Sequence, residues 1–385
     1  MSKIEQLIER LCPEGVEYKR LGEVCVPLIK HTLTKGELID NGQYIVINSG
    51  REAYGKYNEY NNEGNAFTVA ARGEYAGFIN YFSERFYAGG LCYPYRTNNE
   101  RECLTKYAYY WLKHKETSIM ETLVSRGSIP ALNKSDLDNF LIPLPPLPVQ
   151  QEIVRILDAF TELEAELEAE LEARKKQYAY YRDTLLSFEH DDPKVEWKRL
   201  GEIGRICMCK RIMKHETSTS GDVPFYKIGT FGGNANAFIS YETFERYRAA
   251  YPFPKKGDVL ISAAGTIGKS VIFDGEPAYF QDSNIVWIDN DESVVLNKYL
   301  YHFYQTCPWQ VSKGGTIARL YNDNLSKTQI PLPPLPVQQE IVRILDKFSA
   351  LTTDLQSGLP AEIEARRKQY EYYRDQLLTF KRKEA

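Results

Sequence analysis

Residues 142–158, IPLPPLPVQQEIVRILD, recur letter for letter at 330–346. Seventeen identical residues do not arise twice by chance, so the chain is a duplicated unit and any fold assigned to one half must serve the other. The repeat extends in both directions. LEARKKQYAYYRDTLLSF at 171–188 returns as IEARRKQYEYYRDQLLTF at 363–380, and VEYKRLGEV at 16–24 returns as VEWKRLGEI at 195–203. RGSIPALNKSDL at 126–137 matches KGGTIARLYNDNL at 313–325 more loosely. Each unit therefore reads as head motif, variable domain, Pro-rich hinge and long helix. Between head and hinge the copies have diverged: YIVINSGREAYGK (44–56) and PFYKIGTFGGNAN (224–236) share little beyond a strand entering a Gly-containing loop. AFTVAARGEYAGFI (66–79) and DVLISAAGTIGKSVI (258–272) are each an apolar β-rich run broken by a Gly turn. Near-identical frames around unlike domains point to one scaffold carrying two specificities; the alternative is that recombination homogenised the frames while the domains drifted neutrally.

Prolines 143, 145, 146 and 148 favour extended polyproline II and end the preceding domain, and the spacing predicts helix from near Val149. Ile153, Leu157, Phe160, Leu163, Leu167, Leu171, Tyr178, Tyr181 and Leu185 form one apolar stripe on a helix of about 40 residues, roughly 60 Å at 1.5 Å per residue. Its twin at 337–380 carries Ile341, Leu345, Phe348, Leu351, Leu355, Ile363, Tyr370, Tyr373 and Leu377. The two stripes predict an antiparallel intramolecular coiled coil with a pseudo-two-fold axis. The copies differ midway. Phe160 to Ala173 is 13 residues and Phe348 to Ala365 is 17, and the longer copy contains Gly358 and Pro360, which should bend or restart it. The shorter copy reads LEAELEAELEAR, a tandem four-residue unit that adds about 6 Å and about 40° of turn per repeat.

At 385 residues the chain suits two domains with connecting elements. The predicted division is an N-terminal helix (1–17), a first α/β (α+β) domain (18–142), hinge and helix (143–190), a second domain (191–330), and hinge and helix (331–385). Net charge is −4, but the balance is uneven: residues 18–142 carry 15 basic and 14 acidic side chains, residues 194–330 carry 17 and 14, and residues 143–193 carry 5 and 12. The excess acid sits in one helix, and the domains are neutral to mildly basic, which permits a nucleic-acid partner. No apolar run reaches the roughly 20 residues of a membrane span, and MSKIEQLIERLC is an amphipathic helix without the features of a signal peptide. A cytoplasmic protein with no membrane partner is expected. Seven cysteines at irregular spacings read as reduced thiols, and Cys207, Cys209 and His215 lack the fourth ligand and spacing of a structural zinc site.

Taken together, LCPEGVEYKRLGEV at 11–24 and the two copies of PLPPLPVQQEIVRILD followed by RKKQYAYYRD or RRKQYEYYRD resemble the specificity subunit of type I restriction-modification systems. The resemblance covers essentially the whole chain. It implies two target recognition domains, each reading one half of a bipartite site in double-stranded DNA. It also implies that the repeated helices dock two methyltransferase subunits, which use S-adenosylmethionine to methylate adenine, and that two motor-nuclease subunits using ATP and Mg join that core. Candidates for the coil and docking surface are Gln150, Gln151, Ile153, Leu157, Tyr178 and Tyr181, with Gln338, Gln339, Ile341, Leu345, Tyr370 and Tyr373 in the second copy. The four-residue helix repeat resembles the family's device for setting half-site spacing, while Gly358 and Pro360 depart from its continuous helix.

No chemistry of the chain's own is visible. The Asn/Asp-Pro-Pro-aromatic motif of adenine methyltransferases is missing from the sequence. AAGTIGKS at 263–270 has Ala where a phosphate-binding loop needs Gly, and is followed by β-type residues. The reading is thus a non-catalytic DNA-recognition subunit with no cofactor or metal of its own. Base-edge readers need Arg, Lys, Asn or Gln on loops. In the first domain the candidates are Arg51, Lys56, Tyr57 and Arg72. In the second they are Lys210, Arg211, Lys214, Lys227, Asn234, Asn236, Arg246, Arg248 and Lys269. Two competing readings are an assembly adaptor whose variable domains bind protein, and an enzyme with an unrecognised site.

Overall fold

The computed structural model describes residues 3–309, 319–354 and 357–383. Leu355 and residues 313–318 of the loose repeat lie outside them. The chain forms two compact units, Met1–Leu167 with Ile363–Ala385, and Glu168–Glu362.

In the first unit the head motif and the hinge close on each other. Glu17–Arg20 and Leu141–Leu144 pair antiparallel, with Tyr18 opposite Pro143. The hinge is thus a β-strand here and not free polyproline II. Pro143 has no N–H to give, which a two-stranded ribbon tolerates at its outer edge, and its carbonyl accepts the Tyr107 hydroxyl at 3.0 Å. The second unit repeats this with Glu196–Arg199 against Gln329–Leu332, Trp197 opposite Pro331, and Tyr299 donating to the Pro331 carbonyl at 2.8 Å. The rest of the head motif forms a capped turn. The Arg20 N–H donates to Glu23 at 2.8 Å and the Arg199 N–H to Glu202 at 2.8 Å, which explains why the glutamate of KRLGE survives in both copies.

The variable domains differ in sequence and agree in topology. The first contains an antiparallel sheet ordered Cys25–Pro27, Cys92–Thr97, Ala66–Ala70, Ile79–Phe82, and a mixed sheet ordered Gly55–Tyr57, Tyr44–Ile47, Phe86–Ala88. The second has Gly204–Met208, Ile285–Asn290, Val259–Ser262, Ser270–Ile272 in one sheet and Phe238–Ile239, Val223–Tyr226, Tyr279–Phe280 in the other. Order and direction correspond strand by strand. Ala66–Ala70 and Val259–Ser262 are each buried along their whole length, so these strands need continuous apolar runs and not particular letters.

The first long helix runs unbroken from Leu147 to Leu185, beginning two residues before the expected Val149 with Pro148 in its first turn, where the missing N–H costs nothing. Its N-terminal part buries Val149, Ile153 and Leu157 in the first unit's core beside Tyr107, Trp111 and Leu112. Phe160 meets Tyr370 at 6.2 Å and stacks on Tyr373 at 5.6 Å, and Arg367 pairs with Glu164 at 2.5 Å, so the two helical segments of this unit run antiparallel. In the second unit Tyr181 stacks on Phe348 at 5.2 Å, and Ile341 and Leu345 enter a core with Leu186, Tyr299 and Leu300. The second-copy helix is interrupted, as Gly358 and Pro360 led us to expect. Leu335–Thr353 ends, and Leu359–Leu377 begins anew. A Cβ on Gly358 would lie 2.6 Å from the Ala350 carbonyl oxygen, so only glycine fits this crossing.

Candidate nucleic-acid interface

In the first unit, the loops at the C-terminal ends of three strands join into one surface. The Asn48 carboxamide accepts the Leu91 N–H at 2.8 Å, the Ala71 N–H donates to the Leu91 carbonyl at 2.9 Å, and the Gly73 N–H donates to the Pro130 carbonyl at 2.9 Å. Arg72 bridges to Ala131 of the short hairpin formed by Val124–Ser125 and Ala131–Leu132. On the adjoining loop, the Arg51 guanidinium lies over the rings of Tyr75 and Phe78 at 5.0 and 5.5 Å. Both arginines are exposed and carry no ion pair among the described residues. Lys56 and Tyr57 lie elsewhere, on the strand Gly55–Tyr57. Lys56 is exposed, whereas Tyr57 is half-buried edge-on against Tyr87 at 5.6 Å and serves packing.

The second unit spends most of its candidate cations on itself. Lys269 donates to the Phe231 carbonyl at 2.6 Å and the Gly232 carbonyl at 3.4 Å, so it pins the Gly-rich loop and is not a free reader. Arg211 pairs with Asp282 at 3.0 Å, Arg246 with Glu216 at 3.1 Å and Arg248 with Glu245 at 3.3 Å. Lys210 lies over Tyr251 at 5.2 Å. Such exposed pairs contribute little, about 0–1 kcal/mol, and a phosphate could replace the carboxylate. Lys214, Lys227, Asn234 and Asn236 are exposed, and the last three belong to the segment that follows Val223–Tyr226. That segment is fixed where the Gln281 side chain accepts the Ile228 N–H at 2.9 Å.

Sequence reasoning missed Arg319. It bridges to Ala264 as Ala131 bridges to Arg72, so one backbone pairing carries an arginine on opposite partners in the two units. Its guanidinium donates to the Ser283 carbonyl at 3.3 Å and the Asn284 carboxamide at 3.0 Å, holding Ser283 at φ +53°. The loose match of RGSIPALNKSDL with KGGTIARLYNDNL was the available signal.

The repeated ILD and VQQ residues tie each variable domain to its helix. Asp158 accepts from Lys106 at 2.8 Å and from the Tyr110 hydroxyl at 2.5 Å, and Asp346 accepts from Lys298 at 2.5 Å and contacts His302 at 2.9 Å. Gln150 is fully buried. Its amide donates to the Glu102 and Pro145 carbonyls at 2.9 and 2.7 Å and accepts the Leu104 N–H at 2.9 Å. Gln338 does the same with Val294, Pro333 and Leu296 at 3.1, 2.9 and 3.1 Å. A docking role for Gln150 and Gln338 is therefore corrected to an internal clamp, and Ile153, Leu157, Ile341 and Leu345 are likewise core. Tyr370 packs on Phe160, and the Tyr178 hydroxyl meets His302 Nδ1 at 3.0 Å. Gln151, Gln339, Tyr181 and Tyr373 are exposed, as are the overlooked Tyr180 and Tyr372, at 66% and 62%.

The two anchors differ in one titratable group. Burial pushes the His302 imidazole below its ordinary value, against the opposing pull of Asp346. The equivalent Tyr110 is raised, by burial and by its bond to Asp158, and stays neutral in acid. A histidine with a depressed folded-state pKa binds fewer protons folded than unfolded. Its contribution is complete above the unfolded value of about 6.5 and is lost as pH falls below it. Scanning calorimetry between pH 7 and 5 should show the second unit's transition falling, by about 2–4 °C per kcal/mol of linkage, and His302→Gln should flatten that slope.

The type I restriction modification DNA specificity domain matches residues 13–173 and again 194–365. A putative type I restriction enzyme specificity subunit from Haemophilus influenzae is 49% identical over 333 residues, 83% of this chain and 84% of that one. The EcoR124I/EcoR124II specificity subunit of Escherichia coli is 36% identical over 304 residues, covering 74% and 73%. The fold resembles the crystal structure of a type I S subunit from M. genitalium, with TM-score 0.61 and 18% identity over 94% of this chain and 95% of that one. A non-catalytic class of protein, built to recognise DNA for separate enzymes, is what these likenesses define. The chain belongs to the type I restriction-modification specificity subunits. No helix among the described residues is long and apolar enough to cross a membrane.

Proposed function

We propose that this chain reads a bipartite, asymmetric site in double-stranded DNA, one half with each variable domain. It would hold two adenine-N6 methyltransferase subunits on its repeated helices and, through them, two motor-nuclease subunits, all in the cytoplasm. The observation that carries this reading is the strand-for-strand identity of topology in two domains whose loops differ almost throughout. A shared frame with unlike loops suits two half-sites of unlike sequence. Arg51 and Arg72 in the first domain and Lys227, Asn234 and Asn236 in the second are the proposed base and phosphate contacts. Lys56, Lys210, Arg211, Lys214, Arg246 and Arg248 are assigned to phosphates alone.

Docking falls to Gln151, Gln339, Tyr181 and Tyr373, joined by Tyr180 and Tyr372, because large exposed tyrosines on repeated helices suit protein contact. S-adenosylmethionine belongs to the methyltransferase, and ATP and Mg to the motor-nuclease; this chain is assigned neither. The test is a map of methylated adenines in host DNA with and without this gene, followed by a salt-titrated gel shift of the chain with its methyltransferase on the mapped site. A two-part motif and a salt-dependent selective complex are expected. An assembly adaptor would leave no motif and no selective complex.

A further inference from the structure

The hairpin beside Arg72 has a tip with no part in the fold. Val124–Ser125 pairs with Ala131–Leu132, and the neck is closed by the Ser125 hydroxyl donating to the Ala131 carbonyl at 3.0 Å and by the Gly73 N–H on the Pro130 carbonyl at 2.9 Å. Beyond that neck the residues are Arg126, Gly127, Ser128 and Ile129. A Cβ on Gly127 would meet nothing within 4 Å, so the tip stands in open space. Ile129 is 64% exposed, and no other exposed large aliphatic among the described residues exceeds 59%. Arg126 is exposed beside it and Arg72 is one bridge away, and neither carries an ion pair among the described residues. Acidic groups also border this surface at Glu52 and Glu74, both exposed.

A bare isoleucine on a hairpin that carries Arg126 and is bridged by Arg72 combines two properties that duplex DNA rewards together. The guanidinium groups suit phosphates, and apolar side chains such as Ile can enter between base pairs and partly unstack them. Solvent gives Ile129 nothing for its exposure, and no partner in its own unit covers it. We infer that Ile129 forms a wedge that enters a base-pair step of the first half-site, steadied by Arg126 and Arg72. This rests on the proposed DNA-reading function and adds a physical mode to it: part of the specificity would come from how readily that step unstacks.

The test uses the full chain with its methyltransferase, and duplexes carrying the mapped site with 2-aminopurine placed at successive positions of the first half-site. Wild type should raise 2-aminopurine fluorescence several-fold at one position other than the methylated adenine. Ile129→Ser should abolish that rise while the complex still forms, and Arg126→Ala should weaken binding yet keep the rise at saturation. Equal fluorescence profiles for wild type and Ile129→Ser would overturn the wedge. Failure of wild type to bind the site selectively would instead overturn the DNA-reading function beneath it.

Discussion

Gln150→Ala should lower the stability of the first unit by about 3–5 kcal/mol, and Gln338→Ala should do the same to the second. Each substitution strips partners from one buried carbonyl, of Pro145 or Pro333, and from a further carbonyl and N–H that are part-buried, at about 1–3 kcal/mol per orphaned group, with less than full additivity. Against a total of about 5–15 kcal/mol for a domain, that loss approaches unfolding. Trp111 belongs to the first unit and Trp197, Trp287 and Trp309 to the second. Urea titration followed by tryptophan fluorescence therefore assigns each loss to its unit. Destabilisation below about 1 kcal/mol would mean that solvent reaches the clamp and that the glutamines persist in both copies for another reason.

The double variant Arg51→Ala/Arg72→Ala should weaken binding to the native site by about 10²- to 10⁴-fold if both side chains reach base edges, at about 1–3 kcal/mol for each bidentate contact. The relaxation should appear in the first half-site only. Arg248→Ala is the comparison, because its guanidinium already pairs with Glu245 and covers the rings of Phe244 and Phe253. It should reduce affinity uniformly across sequences and lower the salt slope by about one contact. A gel shift over a salt series, with each base pair of the half-site changed in turn, separates the two outcomes. Equal loss on every sequence would return Arg51 and Arg72 to phosphate contacts.

Much of this architecture can be read from the letters because it depends on repetition and spacing. The duplicated hinge, the apolar stripe from Ile153 to Leu185 and the interruption at Gly358 follow from helix periodicity and from what glycine and proline do to a helix. The partner of the hinge strand is not legible, since pairing of Tyr18 with Pro143 joins positions 125 residues apart. Gln150 is misread for a related reason. Glutamine is ordinarily a surface residue, and only the approach of the Glu102–Leu104 segment buries it. Shared topology in the two variable domains is hidden because a buried strand asks only for apolar residues, so Ala66–Ala70 and Val259–Ser262 need not agree in letters. Among the candidate readers, sequence supplies side chains but not their neighbours. Lys269 looks free until the carbonyls of Phe231 and Gly232 arrive, and Arg319 is overlooked although its bridge mirrors that of Arg72.

Exchange of one variable domain tests the duplicated-reader account most directly. Residues 25–132, from the first strand of the antiparallel sheet to the end of the Arg72 hairpin, would be replaced by the corresponding segment of the Haemophilus influenzae relative. Methylated adenines are then mapped in DNA from cells carrying the chimaera. The expected map keeps one half of the native motif letter for letter and changes the other. A motif altered in both halves, or altered in neither, would contradict two independent readers on one frame.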